Sequence, residues 1–147
     1  MSSSARLPIV SANNPELNAS IEPSVRAALA EDIGTGDATA DLIASDQQVS
    51  AVLVAKEAAV LCGSAWVEKT FACIDERVTI RWLRADGDRL NPGDEVCEIR
   101  GPARAINTGE RTAINFLQTL SGTATVASRF AAAVAGTRCQ VLDTRKT

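Results

Sequence analysis

Near the end of the chain, the apolar run Cys139-Gln140-Val141-Leu142 leads into the charged cluster Asp143-Thr144-Arg145-Lys146-Thr147. Such a run reads as a short buried strand, and a buried strand needs neighbours on both sides. A parallel partner lies a crossover of a dozen or more residues away. The expectation is that the chain enters a second α/β domain here and that most of that domain lies beyond Thr147. Folds of this class place ligands at the carboxyl ends of their strands, so Thr144, Arg145 and Lys146 are candidates for an anion site. Arg offers a planar fork for a carboxylate, and Lys a compact charge for a phosphate.

Upstream, the pattern is mixed. Residues 1–22 read as a flexible, polar terminus. Pro23 then suits the first turn of a helix running through Val25 and Leu29 to a stop at Gly34. Asp37 or Thr39 can cap a second short helix through Ile43. Val49–Ala55 and Ala58–Leu61 read as strands, and Gly63–Ile74 has helical spacing in Trp66, Val67, Thr70 and Phe71. Val78, Ile80 and Trp82 alternate with Thr79 and Arg81, the clearest strand pattern in the chain. Asp86-Gly87-Asp88 and Asn91-Pro92-Gly93-Asp94 are turn clusters, followed by a strand over Val96–Arg100 that Gly101-Pro102 should end. Strands and helices mix without a βαβ rhythm, which predicts an α+β layer.

Ala103–Leu120 predicts a long helix. At about 100° per residue, Ala113, Phe116, Leu117 and Leu120 share one side, while Arg111, Asn115 and Gln118 form a polar stripe opposite. Within that stripe Arg111 has no acidic partner, which leaves its fork available for a carboxylate or phosphate; a solvated pair with Glu110 is the alternative. Ser121-Gly122 should interrupt, and Val126, Phe130 and Val134 define a further helix closed by Gly136. The predicted organisation is an N-terminal α/β sandwich domain over 23–114, then the start of a catalytic domain over 115–147.

Composition removes several functions. The 147 residues carry a net charge of −3 and only five aromatics (two Trp, three Phe), which argues against a nucleic-acid binder. No run of about 18 apolar residues is present, so no membrane-spanning helix is expected, and Met1–Arg6 lacks the apolar core of a secretory signal. The sequence has no histidine, which removes Ser-His-Asp and Cys-His catalysis and His-ligated metals from this segment. The four cysteines are widely spaced in apolar stretches and read as inert thiols of a cytoplasmic protein. Gly34-Thr35-Gly36-Asp37 lacks the strand and the downstream Lys-Ser/Thr of a phosphate loop; a helix stop followed by a helix cap accounts for it.

Four stretches, Glu31–Asp37, Gly109–Gln118, Leu120–Thr125 and Asp143–Thr147, together resemble the quinolinate phosphoribosyltransferase family, in order from about residue 25 onward. The resemblance implies an α+β N-terminal sandwich followed by the first helices and first strand of an α/β barrel, truncated here. It implies transfer of phosphoribose from phosphoribosyl pyrophosphate to quinolinate with decarboxylation, giving nicotinate mononucleotide, pyrophosphate and carbon dioxide in de novo NAD biosynthesis. It further implies homodimers or larger assemblies, in which the sandwich of one subunit closes the barrel mouth of the other. Arg111 would then reach the partner's quinolinate site, while Thr144, Arg145 and Lys146 line the pocket of their own subunit. Magnesium would accompany phosphoribosyl pyrophosphate, with ligands beyond Thr147, and no catalytic residue is singled out within these residues. A piece of this length should be inert alone. Two other readings are a molybdenum-associated pyrophosphorylase-like relative and, from a different class, a biotinyl or lipoyl carrier with Lys56 as the modified residue.

Overall fold

The computed structural model describes residues 14–34 and 47–142. The first helix, α1, spans Pro15–Ile33. Its start corrects the expected flexible segment through residue 22. The Asn14 side chain accepts from Glu16 N–H at 3.1 Å and Leu17 N–H at 3.2 Å, and Pro15 occupies the first turn, where its missing N–H costs nothing. Pro23 lies inside the helix. The helix tolerates it because Ile21, Val25 and Leu29, spaced four apart, are buried and hold both halves on one apolar seam. Gly34 ends the helix with φ 54°, its N–H reaching the Ala30 carbonyl at 3.3 Å. The short helix expected through Thr39–Ile43 lies outside the described residues.

A three-stranded antiparallel sheet follows the order β1 (Gln48–Val54), β5 (Glu95–Pro102), β3 (Thr79–Trp82). Its register places Ala51 and Ile80 beside Ile99, and Leu53 and Trp82 beside Cys97, so these side chains share the inner face. On the outer face Arg81 and Arg100 both pair with Glu98. The central strand runs on through Gly101-Pro102 instead of ending before them, because both are buried against neighbours: a Cβ on Gly101 would lie 3.0 Å from Val78.

The second sheet is a two-residue pairing of β2 (Ala59–Val60) with β4 (Arg89–Leu90). Helix α2 (Ser64–Ile74) starts from Gly63, whose φ of 114° only glycine adopts without strain. Asp86 caps it from a distance, accepting the N–H groups of Gly63 and Ser64 at 3.1 and 3.2 Å. Phe71, Val67 and Leu61 join Val96, Cys97, Ile106, Ala113 and Leu117 in the main core, which is the layer between sheet and helices. The smaller core of α1 packs on Trp66, Ile74 and Phe116, so α1 forms an outer layer over α2 and α3.

Helix α3 spans Ala103–Ala133 without interruption. The break expected at Ser121-Gly122 does not form. The Ser121 side chain is buried and bonds outward to Cys62 instead of competing for its own helix backbone. A single mid-helix glycine costs only about 1 kcal/mol, too little to end a helix of this length. The expected boundary at 114/115 therefore falls inside one continuous helix. Beyond it, Cys139–Leu142 makes no strand, and Val141 and Leu142 are exposed. An apolar run becomes a strand only when it pairs in a ladder, and this one joins neither sheet of the described residues.

Candidate functional site

Along one side of α3, where α1 crosses it near Trp66 of α2, a cleft of about 660 Å³ opens to solvent. Its polar lining includes Glu31 and Asp32 at the end of α1 and Arg111 and Asn115 on α3; Trp66 and Phe116 supply its apolar floor. Trp66 is oriented by its indole N–H, which donates to the Ser24 hydroxyl at 3.2 Å. The helical spacing of the predicted polar stripe brings Arg111 and Asn115 together here. Gln118, the third member, is exposed and does not line the cleft.

The structure adds a residue that periodicity did not reveal. Arg111 Nη1 donates to Asp32 Oδ1 at 3.1 Å, and the buried Thr112 hydroxyl donates to Asp32 Oδ2 at 3.1 Å. Arg111 is thus unpaired within its own helix, as expected, yet partnered across helices. Asp32 lies 79 residues earlier in the chain, so no local pattern links the two. The Arg111 side chain remains 77% exposed while that of Asp32 is 19% exposed. The carboxylate is sheltered, and the guanidinium faces outward.

Charge bounds what the cleft can do. Two carboxylates and one guanidinium line it, so it is no anion pocket by itself. What can meet an anion is the outward side of the Arg111 fork, approached from outside the domain. Thr144, Arg145 and Lys146 lie outside the described residues. Among the described residues, no group of three or more His, Cys, Asp or Glu side chains could hold a metal ion. Burial pushes the Cys97 thiol up to about 11 and raises that of Cys62, with Asp86 adding to the latter, so neither presents a thiolate nucleophile. Lys56 is exposed on the link between β1 and β2, strands that pair with β5 and β4 and not with each other. It is not at a hairpin tip, which removes the basis of the carrier reading. No helix among the described residues is long and apolar enough to cross a membrane.

A small antiparallel sheet layered with helices, with the one arginine that lines the cleft turned outward, defines an α+β domain. Comparison with known proteins makes the class specific. Residues 36–121 match the family described as quinolinate phosphoribosyl transferase, N-terminal domain, and the chain belongs to that family. It is 38% identical over 117 residues to a probable nicotinate-nucleotide pyrophosphorylase [carboxylating] of Bacillus subtilis, covering 80% of this chain and 40% of that protein. It is 34% identical over 149 residues to the chloroplastic nicotinate-nucleotide pyrophosphorylase [carboxylating] of Oryza sativa subsp. japonica, covering 100% of this chain and 39% of the relative. Among solved structures, the nicotinate-nucleotide pyrophosphorylase of Francisella tularensis superposes with a TM-score of 0.83 at 38% identity, over 88% of this chain and 47% of the other. NadC from Streptococcus pyogenes superposes equally well, with a TM-score of 0.83 at 40% identity over 87% and 46%. The chain spans less than half the length of the relatives it matches.

Proposed function

We propose that this chain is the amino-terminal portion of a quinolinate phosphoribosyltransferase. The full-length protein then transfers phosphoribose from phosphoribosyl pyrophosphate to quinolinate, releasing pyrophosphate and carbon dioxide and leaving nicotinate mononucleotide. The observation that carries this reading is the presentation of Arg111. A sheltered carboxylate holds one of its nitrogens, and the rest of the fork stands out from the domain, in a family whose relatives are named for this reaction.

Quinolinate carries two carboxylates on a planar ring, and a guanidinium fork matches a carboxylate in both geometry and charge. Because the cleft around Arg111 is not itself an anion pocket, the substrate meets the arginine at the surface of an apposed subunit. This supports a homodimer, or a larger assembly of dimers, with Arg111 acting in the partner's site. Thr144, Arg145 and Lys146 would line the pocket of their own subunit, with Arg145 on a quinolinate carboxylate and Lys146 adding positive charge. Magnesium would enter with phosphoribosyl pyrophosphate on ligands supplied outside the described residues. Free thiols at Cys62, Cys73, Cys97 and Cys139 suit a reducing, cytoplasmic setting.

The test is to incubate the full-length protein with quinolinate, phosphoribosyl pyrophosphate and magnesium, and to follow nicotinate mononucleotide and carbon dioxide. Equal amounts of both products are expected, with none from the 147-residue chain alone. A full-length protein that consumes phosphoribosyl pyrophosphate but yields no nicotinate mononucleotide from quinolinate would remove the reading.

A further inference from the structure

An arginine on an open helix face samples many rotamers, and ordering it on binding weakens the contact it makes. Arg111 is constrained before any ligand arrives. The Asp32 carboxylate is fixed on one oxygen by the Thr112 hydroxyl, itself on a residue only 3% exposed, and its other oxygen holds a single Arg111 nitrogen at 3.1 Å. Thr112 is the neighbour of Arg111 on α3, whereas Asp32 comes from the end of α1. The pair of bonds therefore ties the arginine to the junction of the two helices and sets the direction of its fork.

We infer that Asp32 is a positioning residue for Arg111: it pre-orders the guanidinium for an anionic, carboxylate-bearing substrate held by an apposed subunit. This rests on the reading of Arg111 as a residue that contacts quinolinate. Two effects of the Asp32 charge oppose each other. The carboxylate weakens the attraction of Arg111 for an anion, and its hydrogen bond removes the cost of ordering the side chain. Solvent screens the first effect strongly around a side chain that is 77% exposed, while the second depends on geometry alone, so ordering wins.

The experiment is a double-mutant cycle in the full-length protein with Asp32→Asn, Arg111→Ala and both, reading kcat and the KM for each substrate. Asp32→Asn should raise the KM for quinolinate roughly twofold to fivefold, the scale of an exposed charged pair, with kcat and the KM for phosphoribosyl pyrophosphate little changed. That effect should vanish when Arg111 is already alanine. Asp32→Glu should recover part of the loss, and Thr112→Val, which keeps both charges and loses only the anchoring hydroxyl, should show a smaller rise that also depends on Arg111. Thr112→Val carries the same test if Asp32→Asn does not fold. If Asp32→Asn lowers the KM for quinolinate, or raises it by the same factor with and without Arg111, Asp32 is not a positioning residue although the Arg111 reading stands. If Arg111→Ala itself leaves that KM unchanged, both readings fall together.

Discussion

Ser121 and Cys62 are joined by two hydrogen bonds in opposite directions: the Ser121 hydroxyl accepts the Cys62 N–H at 3.0 Å and donates to the Cys62 carbonyl at 3.1 Å. One turn further along α3, the Thr125 hydroxyl accepts the Val60 N–H at 2.8 Å. A hydroxyl has one proton and two lone pairs, so a serine can imitate the exchange that two strands make in a ladder. Helix α3 thus completes the free edge of the short strand β2. Ser121→Ala leaves a part-buried N–H and carbonyl without these partners, and the expected loss is about 1–3 kcal/mol. Thr123→Ala, which removes an exposed bond to the helix's own Thr119 carbonyl, should cost far less. Thermal or urea unfolding of the two variants compares them directly, and equal losses would contradict the edge-completing role.

Two glycines of α3 should respond in opposite directions to alanine. A Cβ on Gly109 would lie 2.8 Å from both Ile74 and Phe71, side chains of α2 packed against α3. Phe71 is fully buried and its ring has nowhere to go, so overpacking of about 1–3 kcal/mol outweighs a helix-propensity gain of about 1 kcal/mol. At Gly122 nothing lies within 4 Å, and only the gain remains. Gly109→Ala should lower the unfolding midpoint, and Gly122→Ala should raise it. A rise at both positions would show that the two helices can separate freely.

The acid side of the stability profile should carry the signature of Asp75. Side-chain hydrogen bonds from Arg77, with a backbone N–H from the same residue at 2.9 Å, hold its carboxyl at about 2 instead of the ordinary 3.8. The folded chain therefore binds the proton later than the unfolded chain as pH falls. The contribution is present above 3.8 and is lost as pH falls through about 2. The gap in urea midpoint between the parent chain and Asp75→Asn should be constant above about pH 5 and close toward pH 2. A gap that does not change over that range would mean the carboxylate is not stabilised by Arg77.

The parts of the fold that were legible in the sequence are those where one local rule acts alone. The alternation at Val78–Trp82, the run at Val49–Ala55 and the apolar side of α3 each report burial of one face, and each appears as expected. Pro23 misled because proline marks a helix start only when no better start lies upstream, and Asn14-Pro15 is a better one. Ser121-Gly122 misled because its residue types suit both a break and a side-chain bond to a neighbouring strand; only the position of Cys62 decides between them. Cys139–Leu142 carries strand-like composition, but pairing is decided by neighbours and not by composition. The candidate site was half legible: helical spacing revealed Arg111 and Asn115, whereas Asp32 reaches them only through the packing of α1 on α3.

Whether Arg111 serves a neighbouring subunit is tested most directly by mixing two inactive proteins. Full-length Arg111→Ala and Arg145→Ala subunits are unfolded or dissociated together and reassembled in equal amounts. In a two-fold dimer, a mixed pair joins the intact Arg145 pocket of one subunit to the intact Arg111 of the other, which restores one of its two sites. Random pairing then predicts about a quarter of the parent activity, from two preparations that are each nearly inactive. Recovery of nicotinate mononucleotide synthesis near that level is the expected result. Heterodimers that form, as shown by a size or affinity tag on each subunit, yet remain as inactive as either parent would contradict it.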